Sequence, residues 1–272
     1  MKNKKILITG GNGMVGSQAK FGIKLSRKQF DITNISSIEK AVKKYKPNVI
    51  LHLGAMTNML GCEEDPKQAY KINVKGTENL ARICKENNIK LVYLSTCAVF
   101  DGRKKTPYNE KDKPKPLNVY GKTKLQGEIV SQLILPNVLI IRTGWLFGGG
   151  KKDTKFVKKV FYNLKIGKEV KAVSDRNGSP TYIPDLLYTV KKLIDKDSIG
   201  IFHIVNNGTA SYFDIAKEVK KLGKFKSSIL SVKAQDLESS LLKRGKMEGL
   251  KSFTIKLRSW KSALQEYLIN LK

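Results

Sequence analysis

Tyr120 and Lys124 stand at i and i+4, so on a helix they share one face and their side-chain ends can converge on a single ligand. A free phenol titrates near 10, too high for proton traffic at neutral pH. A cation a few ångströms away favours the phenolate and brings that value down. The pair therefore suits exchange of a proton with a carbonyl or alcohol oxygen. Ser95 and Thr96 close the apolar run at 90–95 and add hydroxyls that can hydrogen-bond the same oxygen. A third group, Gly10-Gly11-Asn12-Gly13-Met14-Val15-Gly16, follows the apolar run at 6–9. Glycines at 10, 13 and 16 allow a tight turn, close backbone approach to a pyrophosphate, and a small contact between helix and sheet. At the start of the helix expected there, free N–H groups and the helix dipole favour phosphate charge.

These residues need a frame that brings them together. Apolar, β-branched runs at 6–9, 23–26, 48–53, 90–95 and 137–143 read as strands, and helical patterns lie at 35–46, 68–87 and 118–133. Strand–helix alternation of this kind predicts an α/β fold with a doubly wound parallel sheet of Rossmann type. Right-handed crossovers would gather the loops after the strands on one sheet edge. Beyond Gly148-Gly149-Gly150 the texture changes. A basic helix at 153–166, a strand at 170–173, a helix at 186–195, a strand at 200–205, a Ser211-capped helix and a last helix at 259–271 are expected. Residues 1–147 thus read as a dinucleotide-binding domain, its sheet completed by strands near 170–173 and 200–205. Residues 148–272 read mainly as a smaller substrate-binding lobe.

Bulk properties narrow the class. The 272 residues are 40% hydrophobic and 28% charged, which suits a globular chain. No apolar run approaches the roughly 20 residues of a membrane span, and no signal-peptide core precedes the first strand. Cys62, Cys84 and Cys97 are odd in number and lack CxxC spacing, which predicts a reducing, cytoplasmic location rather than a disulfide scaffold. With only His52 and His203, no metal site is expected. The net charge of +29 comes from lysines spread along the chain, often as pairs such as Lys43-Lys44 and Lys220-Lys221. A nucleic-acid footprint would cluster them with arginines and stacking aromatics. The charge therefore reads as a solvated surface that steers anionic substrates, with no specific nucleic-acid partner and no membrane partner.

In order along the chain, these segments resemble the extended short-chain dehydrogenase/reductase superfamily. Within it they are most similar to the nucleotide-sugar 4-ketoreductases typified by dTDP-4-dehydrorhamnose reductase. The resemblance is carried by Ile8 through Gly16, Asp31-Ile32-Thr33, Gly54-Ala55-Met56-Thr57, Asn73-Val74-Lys75-Gly76-Thr77, Ser95-Thr96, Pro116 through Glu128, Arg142 through Phe147, Ser179-Pro180-Thr181 and Arg258-Ser259-Trp260. It implies that a nicotinamide cofactor reduces the C4 ketone of a nucleotide-linked 4-keto-6-deoxy sugar. Tyr120 would protonate the oxygen, Lys124 would lower the tyrosine pKa and hold the nicotinamide ribose, and Thr96 would hydrogen-bond the carbonyl. The cofactor would lie against Gly10, Asn12, Gly13, Met14, Val15, Gly16, Arg27, Lys28, Asp31, Ile32, Leu53, Gly54, Ala55 and Thr57, as well as Tyr120 and Lys124. The sugar would meet Thr57, Thr96, Cys97, Ala98, Tyr120 and Trp145.

Cofactor choice sets spacing against charge. Asp31 lies near the offset of a ribose-binding acid, which points to NAD(H). Arg27 and Lys28, at the end of the second strand, suit a 2′-phosphate and tilt the choice to NADP(H). Three departures from the relatives stand out. Cys97 and Ala98 replace an acid and an aromatic beside the reacting sugar. The stretch from Gly16 to Asp31 is short, leaving about two turns of helix before the second strand. Gln18 replaces a glutamate that can tie a magnesium-linked dimer, so a homodimer is expected without that metal. An epimerase of the same fold, in which Cys97 would act with a histidine, and a non-catalytic NADP-binding regulatory subunit are the competing readings.

Overall fold

In this computed structural model residues 4–271 are described; residues 1–3 and 272, the outer ends of the two expected stretches, lie outside them. The first half of the chain forms β1 (Ile6–Thr9), a 3-10 turn (Gly16–Gln18), β2 (Ile23–Lys24), α1 (Ile35–Tyr45), β3 (Val49–His52), α2 (Met59–Glu64), α3 (Pro66–Tyr70), α4 (Gly76–Glu86), β4 (Lys90–Thr96), α5 (Val119–Ile134) and β5 (Leu139–Thr143). The second half adds β6 (Trp145–Phe147), α6 (Phe156–Lys165), β7 (Val170–Val173), β8 (Asn177–Gly178), β9 (Pro180–Tyr182) and α7 (Ile183–Asp195). It continues with β10 (Gly200–His203), β11 (Ala210–Ser211), α8 (Tyr212–Gly223), β12 (Ile229–Val232), β13 (Met247–Glu248) and α9 (Trp260–Ile269).

The central sheet has the order β10-β5-β4-β3-β1-β2, and every pair in it is parallel. Its strands read as unbroken apolar runs because both faces are covered. Ile6, Ile8, Val49, Leu51, Val92 and Ile141 pack under Ile183, Leu186 and Val190 of α7. Leu7, Ile50, Leu91 and Ile140 face the other way, against Ile38 of α1 and Leu80 of α4. Each such side chain contributes about 1.5–3 kcal/mol of burial. The chain leaves β1 toward β2 on one side and returns to β3 on the other, so the loops after β1 and β3 diverge. That divergence is the switch point where an open α/β sheet leaves a crevice.

Four expectations are corrected. The helix expected after the glycine turn is only the 3-10 turn, and the strand at 23–26 pairs through only Ile23 and Lys24. Residues 17–22 are too few for a helix and a return to the sheet. Met14, Val15, Ala19, Phe21 and α7 cover the exposed sheet face instead. The strand at 170–173 forms but pairs with β12 in a separate two-stranded sheet, so of the two expected additions only β10 joins the central sheet, and it ends at His203. The long helix at 68–87 is broken by a π-turn at Lys71–Lys75, which turns the Asn73 side chain inward to bond Met56 and Thr123.

Helix α5 is held by polar contacts rather than by an apolar stripe. Its inward face carries Gly121, Thr123, Lys124, Gly127, Glu128 and Ser131. A side chain at Gly121 would bring its first carbon to 2.1 Å from the Ala98 carbonyl oxygen, so only glycine lets the helix approach the end of β4 this closely. The Asn118 side chain caps the helix by accepting from the Gly121 N–H at 2.8 Å, and Glu63 accepts the Val119 N–H at 2.7 Å. Two turns in, Glu128 bonds Arg142 of β5 at 2.6 Å and accepts the Ser95 hydroxyl of β4. The register of the sheet places Ser95 beside Arg142 and Thr96 beside Thr143.

Candidate active site

The loops after β1 and β3 open into a cavity of about 510 Å³. Its floor is the glycine turn. Gly13 N–H closes the turn on the Gly10 carbonyl at 2.9 Å, and Ser17 N–H bonds the Gly13 carbonyl at 3.0 Å. The N–H groups of Asn12, Met14, Val15 and Gly16 have no partner among the described residues. A first side-chain carbon at Gly16 would lie 2.5 Å from the Gly10 oxygen. The turn is thus a backbone cradle of unpaired donors that fits a pyrophosphate, with no α-helix dipole behind it. Gly10, Gly13, Met14, Val15 and Gly16 line the cavity; the exposed Asn12 side chain does not.

A buried relay holds the two loops in place. Thr9 accepts the N–H groups of Leu53 and Gly54 through its hydroxyl oxygen at 3.1 and 2.9 Å, so its own proton goes to His52 Nδ1 at 2.8 Å. Thr77 donates to the Asn73 carbonyl at 2.7 Å and therefore accepts from His52 Nε2–H at 3.1 Å. These partners fix His52 as the neutral Nε2–H tautomer. Burial, helped by the Lys124 charge, pushes its pKa down to about 3. Leu53, Gly54, Ala55 and Thr57 reach the cavity from this loop.

Thr96, Cys97, Ala98 and Tyr120 stand together on the cavity wall, where the end of β4 meets the start of α5. The Thr96 hydroxyl oxygen accepts the Ala98 N–H at 3.2 Å, which leaves its proton free to donate. Burial raises the Tyr120 pKa, and Thr96 opposes that shift only in part. Lys124 takes no part in it, contrary to the expected role. The Lys124 amine stands 3.9 Å over the Tyr93 ring and is absent from the cavity wall. Burial pushes Lys124 down to about 7, against the pull of Glu128. Cys97 is buried and its thiol is pushed up to about 12, mainly by desolvation. It is an inert thiol at neutral pH.

At the far end of the cavity Arg27, Phe30, Asp31, Ile32 and Thr33 form the wall, whereas Lys28 is exposed away from it. Asp31 turns one oxygen back to the Thr33 N–H and hydroxyl at 2.9 and 2.8 Å. Burial raises its pKa, but these bonds and the Arg27 charge outweigh that and hold it below the usual value. Arg27 has no ion pair among the described residues.

At the near end Trp145 lines the cavity with Phe156, Tyr212, Arg244 and Glu248, four residues that the sequence reading missed. Only the i, i+4 spacing of Arg244 and Glu248 hinted at a pair, in a segment with no other periodicity. No helix among the described residues is long and apolar enough to cross a membrane. No cluster of three or more His, Cys, Asp or Glu among them is placed to hold a metal.

The chain is similar to known proteins in sequence and fold. Residues 4–272 match the family model described as the RmlD substrate binding domain. The spore coat polysaccharide biosynthesis protein SpsK of Bacillus subtilis is 31% identical, over 97% of this chain and 96% of that protein. The fold matches the structure of dTDP-4-dehydrorhamnose reductase from Bacillus anthracis in complex with NADP, with a TM-score of 0.93 and 31% identity, covering 98% of this chain and 99% of that one. The dTDP-4-dehydrorhamnose reductase of Yersinia enterocolitica matches at a TM-score of 0.91 and 36% identity, covering 99% and 100%.

Proposed function

The chain belongs to the RmlD substrate binding domain family, and from that premise we propose that it is an NADPH-dependent reductase. Its substrate is the C4 ketone of a nucleotide-activated 4-keto-6-deoxy sugar, on the way to a polysaccharide or glycan precursor. The observation that carries this reading is the pairing of Thr96 and Tyr120 on one wall of a cavity floored by a phosphate cradle. NADPH, when bound, supplies the hydride. Tyr120 reaches the ketone as a protonated phenol, because burial keeps it so, and donates that proton to the carbonyl oxygen as it gains charge. Thr96 donates a second hydrogen bond to the same oxygen, stabilising the developing charge. The unpaired N–H groups of Asn12, Met14, Val15 and Gly16 hold the pyrophosphate. Arg27 meets the 2′-phosphate, with NAD(H) as the weaker alternative. Lys124 orders the nicotinamide ribose by turning its amine from the Tyr93 ring toward the cavity, while Thr57, Cys97, Ala98 and Trp145 border the sugar.

A Cys97-dependent epimerisation has no support here, since a thiol pushed up to about 12 supplies no thiolate at neutral pH. Three unpaired, buried cysteines go with a reducing compartment, and a cytoplasmic location is part of the proposal. So is a homodimer, for which Ile129 and Leu133 of α5, 48% and 78% exposed, offer an apolar face. The decisive experiment mixes the protein with NADPH and a panel of dTDP-, UDP-, GDP- and CDP-linked 4-keto-6-deoxy sugars. Loss of nicotinamide absorbance with one of them is expected; no turnover with any of them overturns the reading. Higher kcat/KM with NADPH than with NADH is expected, and the reverse order removes the role given to Arg27.

A further inference from the structure

Trp145 is fixed on three sides. Its indole stacks on Tyr212 with ring centroids 4.0 Å apart and planes within 4° of parallel. A first side-chain carbon at Gly178 would lie 2.2–2.5 Å from the indole atoms Cε2, Cδ2 and Cζ2. Those atoms include both carbons at the ring fusion, so Gly178 approaches a face of the indole, and Tyr212 already occupies the other face. The indole Nε1–H donates to Glu248 at 2.7 Å. With both faces covered and its only donor engaged, the indole can offer a sugar its edge and no stacking face.

Glu248 is itself tightly held. Arg244 bonds it through two nitrogens, Nε at 2.8 Å and Nη2 at 2.6 Å, and the two side chains are 10% and 9% exposed. Arg244 also reaches Glu238 at 3.1 Å, and Arg176 binds that same carboxylate. Both Glu248 oxygens are therefore engaged before any ligand arrives. Buried, doubly bonded ion pairs of this kind cost more to build than an apolar contact and return geometry rather than affinity.

We propose that Glu248, braced by Arg244, is a positioning residue that sets the edge of Trp145 as the fixed wall against which the sugar ketone is aligned. This rests on the ketoreductase reading above. Glu248 acts through the indole, so its loss and the loss of the indole N–H are one event.

The test is a double-mutant cycle on the full chain with Glu248→Gln and Trp145→Phe, with the Trp145 indole N–H read by NMR. The chain has two tryptophans, Trp145 and Trp260, so Trp145→Phe assigns both signals. Each single variant is expected to lower kcat/KM for the nucleotide sugar about tenfold, Trp145→Phe by removing the indole N–H and Glu248→Gln because one amide oxygen replaces the two that serve three donors, two from Arg244 and one from Trp145. The double variant should lose no more than Trp145→Phe alone, with the dissociation constant for NADPH unchanged throughout. Glu248→Gln should also move the Trp145 signal and leave that of Trp260 in place. Losses that multiply in the double variant, a Glu248→Gln enzyme as active as wild type, or an unmoved Trp145 signal each overturn the proposal. If the Trp260 signal shows that Glu248→Gln has unfolded, Arg244→Met with Glu248→Met replaces it in the cycle, since that pair leaves no buried charge unmatched. A wild-type protein that turns over no sugar defeats the ketoreductase reading alone, because the indole signal still reports whether Glu248 holds Trp145.

Discussion

Tyr120 is placed to give away a proton, yet its surroundings make that proton harder to lose. In the free protein this keeps the phenol in its donor form across the neutral range, which suits reduction of a ketone. Tyr120→Phe removes the donor and nothing else of size. We expect kcat to fall by about 10²–10⁴, the usual contribution of a positioned acid, with NADPH binding unchanged by fluorescence titration. An active Tyr120→Phe enzyme would move the proton to another group. Lys124 gives a pH signature. Pushed down to about 7 by burial, it is a cation below that pH and neutral above it. If its charge helps bind the cofactor ribose, kcat/KM declines as pH rises through 7, because that ratio reports the free enzyme. Lys124→Met should give a lower and flat profile. A flat wild-type profile between pH 6 and 9 would leave Lys124 without an ionic role. The spacing of Tyr120 and Lys124 was legible in the sequence; the position of the lysine over Tyr93 was not, because it depends on an aromatic from another element.

Among the elements, β1, β3, β4 and β5 were legible because strands covered on both faces must be apolar throughout. The 3-10 turn was not, because a glycine-rich turn after a strand looks the same whether or not a helix follows. The placement of β7 was hidden for a different reason: Val170-Lys171-Ala172-Val173 reads as a strand, but its partner Ile229–Val232 lies far along the chain. Helix α5 lacks an apolar stripe, so its anchoring could not be read from periodicity. Glu128 supplies it, tying α5 to Arg142 and Ser95 directly below Thr96 and Lys124. Both charged side chains are at most 3% exposed. Glu128→Ala leaves the Arg142 charge buried and unmatched and should cost about 3–5 kcal/mol in urea denaturation. Glu128→Leu with Arg142→Met removes both charges and should recover most of that loss. Equal losses in the two variants would mean that packing, rather than charge, holds α5. The cradle makes its own prediction. Gly16→Ala places a carbon 2.5 Å from the Gly10 oxygen, so the turn must open. NADPH affinity should fall about 5- to 150-fold, the cost of a strained backbone of roughly 1–3 kcal/mol, read by fluorescence titration.

For the molecule as a whole, a charge of +29 is balanced by very few groups that titrate near neutral pH. His52 and His203 are its only histidines, and both are buried. His52 is held neutral with a pKa of about 3, by burial and then by the Lys124 charge. His203 is also lowered. Burial drives it down with some help from Arg142, and Glu110 opposes them. Its Nδ1 faces the carbonyls of Tyr108 and Lys251 at 3.2 and 3.1 Å, so that nitrogen carries the proton and Nε2 has no partner among the described residues. In the unfolded chain both rings would titrate near 6.5. Below that pH the unfolded state takes up protons that the folded state refuses. Stability contributed by neutral histidines is therefore complete above 6.5 and lost as pH falls toward the folded values. Asp31, Glu110 and Glu248 have lowered values and act only at more acidic pH, while Lys124 is protonated in both states below 7. Between pH 6.5 and 5.5 the change thus belongs mainly to the two histidines, because Lys124 takes up its folded-state proton near pH 7 and its own contribution falls mostly above 6.5. Each that stays neutral should remove about 1.4 kcal/mol of unfolding free energy by pH 5.5, one tenfold step of proton uptake. Urea titrations across that interval measure it, and His52→Gln should lessen the decline even though it weakens the Thr9–Thr77 relay at every pH. A wild-type stability that is level from pH 6.5 to 5.5 would show that water or a local opening lets the buried rings take up protons in the folded state.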